Sequence, residues 1–299
     1  MTTTSENKDP WTTQAVHYLS NAVIYGMIRV ALALPYAKRV RLIGAAASRV
    51  IGPLVGYRRR AIKHLAHIYP EMPLNERKAL ATACMNNAGR TMIENYSGRE
   101  MLARMKDNPL TGAGVAAIAA AKAEGRPVIL VSGHFGNFEA TRAALVGRGY
   151  DVGCLYRNMS NPFFNQHYVR NMQDLGGPAF PQGRRGTAGF VRHLKAGGQL
   201  VMLFDLHVFG APVLDFVGQP ARTAISAAEM ALRLNADLIP FYGLRKPDGL
   251  GFETILEAPI AHSDPITMTQ ELNDNLSERI RATPEQWFWV HRRWRPDSV

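Results

Sequence analysis

The chain has 299 residues, 46% hydrophobic and 20% charged, which is enough to bury a full core and excludes wholesale disorder and collagen-like or coiled-coil fibres. Lys plus Arg is 35 against 24 Asp plus Glu, and the formal net charge of +11 calls for an anionic partner: nucleic acid, membrane surface or acidic small molecule. The two cysteines, Cys84 and Cys154, make no C-x-x-C pair and no zinc quartet, so a disulfide scaffold and a structural zinc are improbable and a reducing cytosolic location fits.

The charge is concentrated. Residues 1–60 hold nine Lys/Arg and two acids, residues 279–295 hold five Arg and one acid, and the remainder is balanced. The N-terminal segment is also apolar, with helix-length runs over 15–37 and 41–57. His17, Asn21 and Arg29 interrupt the first run, and a central Arg costs about 2.5–3.5 kcal/mol on insertion scales, so it is a poor transmembrane span. Glu6, Asp9 and the lack of a small-residue cleavage site argue against a signal peptide. Lys38, Arg39, Arg41 and Arg58 to Arg60 flank the runs, which suits an interfacial anchor on anionic lipid. The alternative is a buried helical hairpin with a solvated basic face. We divide the chain into a membrane-associating helical segment, 1–60, and an α/β domain, 61–299.

Residues 61–104 are helical in pattern, and 115–123 form an Ala-rich helix ended by Gly125. Apolar runs at 127–132, 200–204 and 237–241 have the character of central parallel strands. Helical stretches over 163–174, 187–196 and 223–235 alternate with them, which gives an α/β sheet.

The first strong strand ends in Ser132-Gly133-His134-Phe135-Gly136-Asn137-Phe138-Glu139. Ligands in open α/β sheets bind at the carboxyl ends of strands, where His134 sits. An acid five residues on can fold back to the imidazole, fix its tautomer and stabilise its charged form, making a general base for a hydroxyl or amine substrate. A histidine that merely packs a loop is the bland alternative.

The segment VSGHFGNFE resembles the His-x4-Asp/Glu motif of bacterial lipid acyltransferases, closest to the lipid A late (lauroyl/myristoyl) acyltransferase family. Further blocks over residues 20–295 carry the resemblance: Tyr156-Arg157-Asn158-Met159-Ser160-Asn161-Pro162, Leu203-Phe204-Asp205, the loop from Phe216 to Thr223, and the C-terminal Pro284-Glu285-Gln286-Trp287 with Trp289 and His291-Arg292-Arg293. Leu206 stands where the family usually has Gln, and Val217 where it often has Phe. The resemblance implies a glycerol-phosphate-acyltransferase-like mixed or parallel sheet flanked by helices, with the N-terminal helices on the membrane. It implies transfer of a fatty acyl group from acyl carrier protein or acyl-CoA, as co-substrate and with no other cofactor, to a hydroxyl of a lipid A precursor or other anionic (lyso)lipid. The expected place is the cytoplasmic face of a bacterial inner membrane.

By the same resemblance His134 is the base and Glu139 orients and charges it. Arg157 binds phosphate or the carrier, and Asp205 either helps orient His134 or binds the acceptor. Gly133, Gly136 and Asn137 contact substrate, and Arg184 with Arg185, in a Phe180-Pro-Gln-Gly-Arg stretch, is a candidate anion binder. Neither Cys has a nucleophile context, so a Cys mechanism is rejected. Thr223 has the look of a helix N-cap. The C-terminal tryptophans either sit at a membrane interface or pack in the core. His291 is structural rather than a metal ligand, and no metal-binding spacing occurs. Gly112-x-Gly114 lacks the third Gly of a dinucleotide site, and there is no G-x-S-x-G elbow. A nucleic-acid partner is disfavoured because the basic residues adjoin apolar runs.

Overall fold

The computed structural model describes residues 11–295, so Glu6 and Asp9 lie outside the described residues. The chain begins with α1 (Trp11–Leu32), α2 (Tyr36–Ala46), a π-helical turn (Ala47–Ile51) and the short α3 (Gly52–Leu54). These lead into α4 (Tyr57–Ile68), α5 (Leu74–Asn95) and α6 (Gly98–Met105). There follow β1 (Leu110–Thr111), α7 (Gly114–Glu124), β2 (Val128–Ser132), α8 (Phe138–Val146), β3 (Val152–Tyr156), α9 (Pro162–Leu175), β4 (Ala179–Pro181), α10 (Arg184–Lys195) and β5 (Gln199–Leu203). The last part is a hairpin, β6 (Val213–Phe216) and β7 (Gln219–Arg222), then α11 (Ser226–Leu234), β8 (Asp237–Arg245), β9 (Phe252–Leu256) and α12 (Pro265–Ala282).

Seven strands form one sheet in the order β1-β9-β8-β2-β5-β3-β4. The sheet is mostly parallel; β8 and β9 pair antiparallel. The central strand β2 is buried along its whole length, as an unbroken apolar run between two helical layers should be. The strands expected at 127–132, 200–204 and 237–241 are thus β2, β5 and β8. Short β3, β4 and β9 were not singled out, because their apolar runs are brief or broken by polar residues. Thr223 is not the cap of α11, which starts at Ser226. Its hydroxyl donates to the Ala221 carbonyl and accepts from the Arg293 guanidinium.

Among the described residues no helix is long and apolar enough to cross a membrane. The α1 helix docks on α9: Asn161 donates to the His17 carbonyl at 2.8 Å, and His167 meets the Asn21 side-chain oxygen at 2.8 Å. That contact uses one narrow stripe. Val16, Leu19, Val23, Met27 and Val30 stay exposed, as does Leu54 at the end of α3.

Candidate active site

Parallel pairing of β2 with β5 sets Ser132 opposite Leu203. Two residues further on each chain, at the carboxyl ends, stand His134 and Asp205. His134 Nδ1 lies 2.8 Å from Asp205 Oδ1, and the His134 backbone N–H donates to Oδ2 at 2.8 Å. The indole N–H of Trp287 donates to the same Oδ2 at 2.9 Å. A carboxylate on Nδ1 makes that nitrogen the N–H donor, so the lone pair is on Nε2. Asp205 is wholly buried, and burial alone would favour its neutral form. The charge of His134 and the hydrogen bonds from it outweigh that and hold the carboxyl well below the usual carboxylate range.

Glu139, expected to fold back onto the imidazole, does not take that place. It lies in the first turn of α8, and its carboxylate pairs with the fully buried Arg142 at 2.7 Å. Arg142 also donates to the carbonyls of Val152, Met172 and Gly176, so the pair ties α8 to β3 and α9. The i,i+3 spacing on one helix face makes this pairing local and favourable. Of the two acids named from sequence, Asp205 is therefore the one that meets His134.

Asn137 is not free for substrate either. It caps α8, its oxygen accepting from the Glu139 N–H at 3.1 Å, and its amide donates to Glu94 at 3.0 Å. Glu94 is buried and ion-paired to Arg245, which also holds Asn87. Gly133 is buried, and a Cβ there would lie 2.5 Å from Leu276 and 3.1 Å from Asp205, so the missing side chain lets both Leu276 and Asp205 approach the backbone. Gly136, at φ 56°, borders the cavity, and a Cβ would strike the Gly243 carbonyl at 2.1 Å. Arg157 is exposed just after β3 and does not line the cavity. Arg184 opens α10, and its side chain lies outside the described residues.

A cavity of about 270 Å³ opens beside His134. One wall is a stripe of α5, Cys84, Ala88, Thr91 and Asn95, at helical spacing; Phe138, Tyr168 and Trp287 help close it. Sequence reasoning missed this wall, although small and polar residues recurring along one helix face were its signal. A second cavity of about 120 Å³ shares Met92, Asn95, Phe138 and Tyr168 with the first, and Glu139 lies on its wall. Cys84 borders the first cavity, but burial pushes its thiol up to about 12, and burial likewise raises Cys154 to about 11. Neither supplies a thiolate near neutrality.

The C-terminal stretch straps the site. Phe288 N–H donates to the His134 carbonyl, Gly136 N–H donates to the Gln286 carbonyl, and Phe135 pairs with Trp287. Trp287 and Trp289 are fully buried, which decides for core packing over a membrane interface. The segment is a 3-10 turn (Pro284–Gln286) followed by irregular chain. The His291 ring stands edge-on to that of His134, with centroids 4.2 Å apart. Burial, then the neighbouring His134, lowers the His291 pKa to about 3, so it is neutral.

The model of bacterial lipid A biosynthesis acyltransferases matches residues 8–296. The chain belongs to that family. It is an acyltransferase. It is 26% identical to a lipid A biosynthesis lauroyltransferase of Escherichia coli, over 92% of this chain and 91% of that one. A lipid A biosynthesis acyltransferase of Haemophilus influenzae is 25% identical over 90% and 89%. A phosphatidylinositol mannoside acyltransferase of Mycobacterium tuberculosis is 25% identical over 79% and 76%.

Proposed function

We propose that this family member transfers a fatty acyl group from the thioester of acyl carrier protein or acyl-CoA to a hydroxyl of an anionic glycolipid. His134 is the general base and Asp205 its orienting carboxylate. The observation that carries the reading is the 2.8 Å bond from His134 Nδ1 to a buried, charged Asp205, with His134 on the wall of the cavity along α5. Nε2 takes the proton of the acceptor hydroxyl, whose oxygen attacks the thioester carbon. The C–O bond forms, the C–S bond breaks, and the departing sulfur recovers the proton from the imidazolium. Asp205 stays ionised and stabilises that imidazolium. The acyl chain occupies the cavity along α5. No covalent acyl-enzyme is involved, in line with the buried, protonated thiols.

The relatives named for lipid A biosynthesis and for phosphatidylinositol mannoside both support a glycolipid acceptor, and a lipid A precursor is the first to test. The exposed apolar side chains of α1 and α3, beside exposed Lys38, Arg41 and Arg49, support seating on the cytoplasmic face of an inner membrane. The test is a His134→Ala protein assayed with labelled acyl carrier protein and membrane glycolipid. Loss of transfer with an unchanged melting temperature is expected; undiminished transfer overturns the mechanism.

A further inference from the structure

The loop after Asp205 and the C-terminal strap bring cations together beside the base. Arg293 is fully buried, its guanidinium donating to the Arg222 carbonyl and the Thr223 hydroxyl, with its Cζ 4.7 Å from the Phe216 ring centroid. Among the described residues neither Arg293 nor Arg222 has a carboxylate at ion-pair distance. Arg222 reaches back to the Ala211 carbonyl at 2.8 Å, which anchors the loop carrying His207. Asp205, the acid of this corner, is already taken by two donors of His134 and one of Trp287.

Four buried nitrogens of this loop and strap lack a hydrogen-bond partner among the described residues: His207 Nδ1, His291 Nε2, Arg293 Nε and Trp294 Nε1. A buried polar group without a partner is costly, and buried cations normally have a counter-charge, so the chemistry of this corner next to His134 suits an anion. The loop itself is accessible, with Leu206, Val208 and Phe209 exposed. A tetrahedral group with several acceptor oxygens suits a planar guanidinium and ring nitrogens arrayed together.

We propose that the corner formed by Arg222, Arg293 and His207 binds a phosphate group of a substrate beside His134. The assignment deepens the acyl-transfer reading and rests on it for what carries the phosphate. One source is the phosphopantetheine arm of the thioester donor, the other the phosphate of the lipid acceptor. Either would fix a substrate by its charge while the reacting atom meets Nε2.

Calorimetric titration of the full chain separates the sources. One arm uses 4′-phosphopantetheine against pantetheine, the other dihexanoylphosphatidate against dihexanoylglycerol. We expect one phosphorylated probe to bind with its dephosphorylated partner at least about tenfold weaker, and Arg222→Gln and His207→Gln each to lose about tenfold or more. Arg99→Gln, on a distant exposed arginine, should bind as wild type. If Arg222→Gln proves unfolded by thermal melt, His207→Gln alone decides. Wild-type protein that does not distinguish phosphorylated from dephosphorylated probes, or a folded variant that binds as wild type does, overturns the site. His134→Ala should bind the probe normally while losing transfer, so phosphate binding can stand or fall separately from the catalytic reading.

Discussion

The exchange of Asp205 for Asn separates the two acids that sequence alone offers for His134. Asp205 accepts three hydrogen bonds, two from His134 and one from Trp287. Asn has one acceptor oxygen and an NH2 group. If the oxygen stays with the backbone N–H and the indole, the NH2 faces His134 Nδ1 and drives the proton to Nε2, which removes the base. In Ser-His-Asp hydrolases the equivalent exchange costs about 10⁴ in kcat. The same geometry here gives an expected fall of about 10³–10⁴, or about 4–5.5 kcal/mol of barrier. Folding should suffer less, by about 1–3 kcal/mol, because hydrogen bonds are weakened rather than a cavity made. The depressed carboxyl also stabilises the fold above the ordinary carboxylate pKa, an effect lost as pH falls through the folded value; Asp205→Asn should lack this acid-side loss. Glu139→Gln should behave oppositely. It removes the counter-charge of buried Arg142 and should cost about 3 kcal/mol of stability, with the folded fraction transferring acyl groups within tenfold of wild type. The assay is labelled acyl transfer beside urea denaturation of each variant. A Glu139→Gln protein that melts normally but loses 10³ in kcat, beside an active Asp205→Asn, refutes the assignment.

Glu94→Ala strips the counter-charge from buried Arg245 and a partner from Asn137, so unfolding free energy should fall by about 3–5 kcal/mol; an unchanged urea midpoint would rule out the pair as the tie between α5 and the strand-end loop. His291 is held neutral in the fold with a pKa of about 3, so stability should drop as pH falls from about 6.5 toward that value, by at most about 1.4 kcal/mol per pH unit from this group. His291→Gln should flatten that slope, and identical pH 7 and pH 5.5 denaturation differences in variant and wild type would contradict it. Val23→Glu with Val30→Glu, both on the exposed face of α1, should abolish co-flotation with phosphatidylglycerol vesicles without moving the melting temperature; retained flotation would remove α1 from the membrane contact.

Much of the fold was legible because its signals are local. The runs that became β2, β5 and β8 are apolar over a strand's length, and the helical stretch over 163–174 falls on α9. His134 was legible as well, from its place at a strand end between glycines. Its partner was harder. Spacing favours Glu139, five residues past His134, and Asp205 is 71 residues away. The C-terminal tryptophans were ambiguous for the same reason: apolar rings beside arginines suit an interface or a core, and only packing separates the two.

By itself the sequence determined the α/β class and the family, and it singled out His134 as the proposed base. It also localised the excess positive charge to an apolar N-terminal segment and an Arg-Trp strap. The tertiary structure alone decided which carboxylate is hydrogen-bonded to His134. Parallel pairing of β2 with β5 puts residues two past the shared register side by side, whatever their separation along the chain. Glu139, close in sequence, is drawn instead to Arg142 on its own helix face, where a buried cation must have a counter-charge. Part of the strap's charge likewise acquired a place only in three dimensions, where Arg293 folds under Phe216 against Arg222 and Thr223.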